Sequence, residues 1–224
     1  MSMYITGDTH GLHDIDKIVN KKFGNKKLSK KDYMVICGDA GIVWDGKNFD
    51  SYVQDWWNER PWTTLYVDGN HENHYLLNHL PTEEWNGGKV HRISDSIIHL
   101  CRGQVFEIDG KKIFTMGGAD SVDKHLRIEG RSWWKEELPS QKEYNEALDN
   151  LEKHNHKVDY IFTHCAPSTY LDSINPYYTV DHLNKFLGVV EESTEYYRWY
   201  CGHYHIDKTI GPLRVLYENV VKLY

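Results

Sequence analysis

The chain is poor in the residues that staple, interrupt or anchor a protein. Its four cysteines, Cys37, Cys101, Cys165 and Cys201, are widely spaced with no C-x-x-C pair. That spacing argues against a disulfide framework or a zinc ribbon and for reduced core thiols. Six prolines are scattered over 224 residues, with no repeat and no Pro/Ser-rich linker, so a single domain over residues 1–224 is expected. No apolar run approaches the roughly 20 residues of a membrane helix. The start, Met1 to Thr6, has neither a basic n-region nor an apolar h-region. A cytoplasmic protein with no membrane partner is therefore expected. Basic charge is scarce too: 26 Lys and Arg against 33 Asp and Glu give a formal charge of -7, which disfavours broad nucleic-acid binding through phosphate neutralisation.

What is present suffices for an ordinary core, since hydrophobic residues make up 40% and charged residues 26%. In the first third, short β-forming runs alternate with helical patterns: Tyr4 to Thr6 then Ile15 to Phe23, Tyr33 to Cys37 then Phe49 to Trp57, and Thr64 to Val67 then His71 to His79. Strand-then-helix order predicts parallel βαβ units. Next come Ile97 to Leu100, Gln104 to Ile108 and Lys112 to Met116, close together and read as antiparallel strands, with Asp109-Gly110 as a hairpin turn. A Trp-rich stretch from Ser121 to Leu138, a helix from Gln141 to His154, a strand at Tyr160 to Thr163 and a polar Tyr-rich segment follow. Closing strands are expected at Arg198 to Tyr200, Ile206 to Ile210 and Leu213 to Tyr217, turning at Gly211-Pro212. The pattern predicts a mixed α/β sandwich.

Metal-type side chains collect where these strands end. Gly7-Asp8-Thr9-His10-Gly11 closes the first strand, and alternation puts Asp8 and His10 on one side if the chain stays extended. Asp39 follows the second strand between Gly38 and Gly41, and Asn70-His71-Glu72 follows the third. Ligands in open α/β sheets gather at carboxyl ends of strands. His164 follows a fourth apolar strand, and His203-Tyr204-His205 repeats the alternate pairing, with Tyr204 expected to point away. Each motif alone is weak in a chain with 14 histidines. In this order they are specific.

The series from Gly7 to His205 resembles the calcineurin-like metallophosphoesterase superfamily, whose pattern is G-D-x-H, G-D, G-N-H-E/D, a lone His, then G-H-x-H. The resemblance implies an α/β sandwich of two mixed β-sheets flanked by helices. It implies two divalent ions, one held by Asp8, His10 and His205, the other by Asn70, His164 and His203, with Asp39 bridging them. Such a pair acidifies a shared water for in-line attack on phosphorus, and His71 would protonate the leaving oxygen. The Asp/Asn/His set suits Mn, Fe, Zn or Ni better than Ca or Mg. Two divalent cations against two carboxylates would leave the site attractive to a phosphoester substrate.

Some family features are missing. Where the phosphoprotein-phosphatase branch has G-D-x-x-D-R-G, this chain has Ile42 and Val43, and Asp68 replaces the arginine before Gly69-Asn70-His71. Both phosphate-gripping arginines and the carboxylate that orients the histidine are thus absent from these positions. Asp45 is a nearby substitute for that carboxylate, and Arg127 or Arg131, in the Trp-rich segment, for the clamp. An amphipathic helix burying Trp133 and Trp134 is the plainer reading of that segment, and Glu72 reads as a helix-start carboxylate. The expected substrate is a small phosphorylated molecule or nucleotide, monoester or diester. A catalytically silent scaffold on the same fold is the alternative, opposed by the complete ligand set; a nuclease is a third, disfavoured by charge.

Overall fold

The computed structural model describes residues 1–20, 23 and 26–224. Among these residues thirteen strands form two sheets. In the first, β1 (Met3–Thr6), β2 (Tyr33–Cys37), β3 (Thr63–Val67) and β6 (Ile97–Leu100) run parallel at the centre. β13 (Val221–Lys222) lies antiparallel on one edge, and the hairpin β4 (Thr82–Trp85) and β5 (Gly88–Ser94) on the other. The second sheet has the order β11 (Lys208–Ile210), β12 (Leu213–Val215), β10 (Arg198–Cys201), β9 (Tyr160–Thr163), β8 (Lys111–Met116) and β7 (Gln104–Ile108).

Period-2 alternation sorts the core into layers. Met3, Ile5, Val35, Cys37, Leu65 and Val67 face inward, onto Phe106, Ile113, Tyr160 and Phe162 of the second sheet. Their neighbours Tyr4, Met34, Ile36 and Tyr66 face out, under α1 (Asp16–Val19), α2 (Asn48–Asn58) and α3 (His74–Asn78) through Ile18, Val53, Trp57 and Leu77. On the far side α4 (Gln141–Lys153), α5 (Ser168–Ile174) and α6 (His182–Ser193) cover the second sheet with Ala147, Leu151, Leu171, Leu183, Leu187 and Val190. The architecture is two mixed sheets flanked by helices. Strands buried on both faces read as continuous apolar runs, which is why they stood out in the sequence.

Several elements differ from the sequence expectation. Ile97 to Leu100 joins the first sheet beside β3, so only β7 and β8 form the expected hairpin. The segment from Ser121 to Leu138 forms no α-helix, only 3-10 turns at Lys124–Leu126 and Lys135–Glu137. Trp134 is nonetheless buried, edge-on to Trp44. The Tyr-rich segment carries α5 and α6. The helix expected from Ile15 to Phe23 is seen at Asp16–Val19, and residues 21 and 22 of it lie outside the described residues. All four cysteines are free, and no described helix is long and apolar enough to cross a membrane.

Candidate metal centre

The ends of β1, β2, β3, β9 and β10 meet at one edge of the sandwich, and the chain leaves its strands there by strained turns. Asp8, His10, Asp39, His203 and His205 adopt φ of 21°, 43°, 50°, 70° and 49°, a region costing a non-glycine residue on the order of 1–3 kcal/mol. The extended geometry expected for Asp8/His10 and His203/His205 is therefore absent; the turns themselves aim the side chains. Hydrogen bonds between loops hold them: Thr9 and His10 N–H donate to the Asp39 carbonyl at 3.0 and 2.8 Å, and Gly202 N–H to the His164 carbonyl at 3.0 Å. His203 N–H donates to the Asp8 carboxylate at 3.0 Å, and His71 N–H to Asp39 Oδ1 at 2.7 Å. Gly38, with φ of 83°, passes so close to His164 that a Cβ would strike the imidazole.

These turns gather all seven residues expected as metal ligands, together with His71. The donor atoms of Asp8, His10 and His205 lie within 4.8 Å of one another, as do those of Asp8, Asp39 and His164, and those of His10, Asp39 and His71. Asp39 stands in the middle: Oδ2 is 3.3 Å from His10 Nε2 and Oδ1 is 3.3 Å from His164 Nε2. Asn70 Oδ1 is 3.2 Å from His164 Nε2, and the His164 and His203 rings meet edge to face at 4.9 Å. Asp8, Asp39 and His164 are buried, whereas the His205 side chain is half exposed and stacks on Tyr217. The cluster opens to solvent on that side.

The hydrogen bonds around these donors fit the set to cations. His10 Nδ1 lies 2.6 Å from the Asp14 carboxylate and His164 Nδ1 lies 2.8 Å from the Cys37 carbonyl, both acceptors. Each imidazole thus gives its proton outward and turns a bare Nε2 lone pair inward. Asn70 is fixed likewise, since its Nδ2 donates to Ser121 Oγ, whose hydroxyl donates to buried Glu137. Lone pairs of His10 and His164 therefore face the Asp39 carboxylate, and the Asn70 oxygen faces that of His164, with no donor between them, an arrangement only positive charge relieves. Without an ion, protons must serve. Burial pushes Asp8 up to about 7, against the pull of His164. Burial opposes a charge on His164, but Asp39 and Asp8 outweigh it and push that group up to about 9. Burial, with His164 alongside, holds His203 down to about 3.

Around the cluster, sequence reasoning was partly right and partly wrong. Tyr204 turns away, its hydroxyl accepting the Ala166 N–H. Arg127 reaches the site, its Nη2 lying 3.2 Å from His71 Nε2 while Asp123 holds its Nε at 2.8 Å. Arg131 is exposed, and among the described residues no hydrogen bond or ion pair joins its side chain to the site. Asp45 does not orient His71, because its carboxylate accepts the N–H groups of Lys47, Phe49 and Asp50 at the start of α2. Glu72 is no helix-start carboxylate either: Asn73 caps α3, and buried Glu72 braces the loop after Asp39 by accepting the Ala40 and Gly41 N–H groups. Asp68 faces away from His71, paired with buried Arg102 at 2.5 Å and with His99 at 3.1 Å. Asp14, Glu137 and Arg102 escaped the sequence reading, although Asp14 stands only four residues after His10. A cavity of about 260 Å³ borders His10 and His71, walled by Trp44 and Phe49.

The model of the calcineurin-like phosphoesterase family matches residues 1–207, which include the whole cluster, and the chain belongs to that family. Comparison with curated proteins gives no match. Among solved structures, the protein is similar to a Staphylococcus aureus protein assigned as a 5′-nucleotidase, in complex with alpha-ketoglutarate, at 15% identity and a TM-score of 0.49. That alignment covers 96% of this chain and 48% of the other, so the protein spans about half its neighbour's length. It is also similar to the phosphopantetheinyl hydrolase from Mycobacterium tuberculosis, at 13% identity and a TM-score of 0.42, over 96% of this chain and 87% of that one.

Proposed function

We propose that the protein is a dinuclear metal-dependent phosphoesterase acting on a small phosphorylated molecule or nucleotide, monoester or diester. The observation that carries this reading is the pair of inward lone pairs, on His10 and His164, facing opposite oxygens of one buried carboxylate, Asp39. Asp8, His10 and His205 would hold one divalent transition ion and Asn70, His164 and His203 a second, with Asp39 shared. Imidazole in this set favours Mn, Fe, Zn or Ni. Bound ions would supply Lewis acidity to the phosphoryl oxygens and to the attacking water.

The chain's own residues position and neutralise. His71 is fixed by its backbone N–H on Asp39 and stands edge-on to His10 at 5.2 Å between ring centres. In this reading it would give a proton to the leaving oxygen. Arg127, held beside His71 by Asp123, supplies the guanidinium that the strand-end motifs lack. The cavity walled by Trp44 and Phe49 lies on the His71 side, where a leaving group would sit.

The test strips the protein with chelator, restores Mn²⁺ and compares p-nitrophenyl phosphate with bis-p-nitrophenyl phosphate, using Asp39→Asn as control. Metal-dependent turnover abolished in the variant supports the reading, and the preferred ester assigns the substrate class. A folded protein that binds two metal ions and turns over neither ester would point instead to a silent scaffold on this fold.

A further inference from the structure

A second group of metal-type donors lies at the other end of Asp68, on β5 and β6 of the first sheet, one strand in from its β4 edge. His91 of β5 and His99 of β6 are directly paired across the antiparallel ladder, and Cys101 follows two residues after His99. One ligand atom from each falls within 4.8 Å of the others. Both histidines are buried, and Cys101 is partly open to solvent. None of the three belongs to the first cluster.

The hydrogen bonds fix what these donors offer. Asp68 is ionised, since both its Oδ2 contacts come from Arg102, at 2.8 and 2.5 Å. Its Oδ1 therefore accepts the His99 Nε2 proton at 3.1 Å, a carboxylate–histidine pair of the kind that stands behind metal-bound imidazoles. His99 Nδ1 is left bare and points at His91 Nδ1, 3.1 Å away. Two nitrogens in tetrahedral zinc coordination stand about as far apart, given Zn–N distances of roughly 2.0–2.1 Å. The outer nitrogen of His91 faces Thr82 Oγ1 at 3.5 Å.

We propose that His91, His99 and Cys101 form a structural site for a zinc-type ion, separate from the phosphoesterase centre. Two neutral imidazoles and a thiolate suit a borderline-soft d¹⁰ cation. Binding balances as follows: Cys101 releases its thiol proton to solvent, and the His91 proton moves from Nδ1 to Nε2, where Thr82 Oγ1 accepts it. Both Nδ1 lone pairs and the sulfur then face the ion, with a fourth position left for water on the open Cys101 side. The ion staples β5 to β6 and, through His99 and Asp68, stiffens the strand end that leads to Asn70 and His71.

Co²⁺ titration of the full-length, metal-stripped chain tests this independently of the proposed activity, because no donor expected at the first centre is a cysteine. The expected result is a thiolate-to-cobalt charge-transfer band in the near ultraviolet, absent in Cys101→Ser and weakened in His91→Phe, together with a Zn²⁺-dependent rise in Tm that is smaller in both variants by the share owed to this site. No such band in the wild-type chain at saturating Co²⁺ overturns the proposal even if neither variant folds. A band that survives Cys101→Ser overturns it equally, by assigning the sulfur to another cysteine.

Discussion

His10 uses one nitrogen toward Asp39 and the other toward Asp14, and the second contact decides what the first can do. A carboxylate 2.6 Å from Nδ1 fixes the tautomer and makes Nε2 the better donor. Replacing Asp14 by Asn keeps the shape and removes the charge. Mn²⁺ affinity, read by calorimetry, should fall about 10- to 100-fold, the usual cost of losing such a partner; unchanged affinity would remove Asp14 from the centre. Arg127 makes the opposite kind of contribution, touching His71 but none of the expected ligands. A charge-assisted hydrogen bond to phosphate contributes about 1.5–3 kcal/mol. Arg127→Ala should therefore lower monoester kcat/KM roughly 10- to 100-fold without changing metal content, with partial recovery in Arg127→Lys. Arg131→Ala, at an exposed position, should leave it unchanged; an equal loss there would reassign the clamp.

The end of β3 shows how an element aims a site. Asn70 and His71 can turn toward Asp39 because the strand end behind them is pinned: Asp68 by Arg102, and the Gly69 carbonyl by His74 Nε2 at 3.0 Å. Burial, with Arg102 beside it, holds His74 down to about 4, against about 6.5 for a free histidine. Between those values the unfolded chain binds a proton that the folded chain refuses, so stability falls as pH drops from about 6.5 to about 4. The full effect is at most about 3 kcal/mol. His74→Gln should flatten this part of the stability–pH curve in urea unfolding of the metal-loaded protein; an unaltered slope would show that His74 takes its proton without loss. None of this pinning was legible in the sequence. Parallel strands were, because burial on both faces writes continuous apolar runs, and so were the strand-end side chains that the fold gathers into the cluster, because each follows such a run. Arg102 and Asp14 were not, since their partners are set by tertiary packing or lie outside any strand-end motif. The β4–β5 hairpin was missed because Thr82 to Trp85 is mostly exposed and its sequence carries no alternation. Trp133 and Trp134 misled in the other direction, because tryptophans can be buried from an irregular segment as well as from a helix.

At the scale of the whole molecule, the candidate centre lies where the two sheets meet. Asp8, His10, Asp39 and Asn70 come from strand ends of the first sheet, and His164, His203 and His205 from strand ends of the second. Cations there would cross-link the sandwich as well as equip it for chemistry. Without them two buried carboxylates are offset by shared protons and a few backbone N–H groups held in strained turns, so the metal-free fold should open at this edge first. An ion present at about 100 times its Kd stabilises the folded state by about 2.7 kcal/mol per site. For a chain of this size that corresponds to a Tm shift of roughly 5–10 °C. Chelation, which empties both proposed sites of the centre, should lower Tm by about twice that amount, and Mn²⁺ should restore it. Asp39→Asn should melt near the chelated value whether or not metal is supplied. A Tm indifferent to chelator, in protein shown to have lost its metal, would mean that the inward lone pairs are satisfied by protons alone and that the ions do not hold the two sheets together.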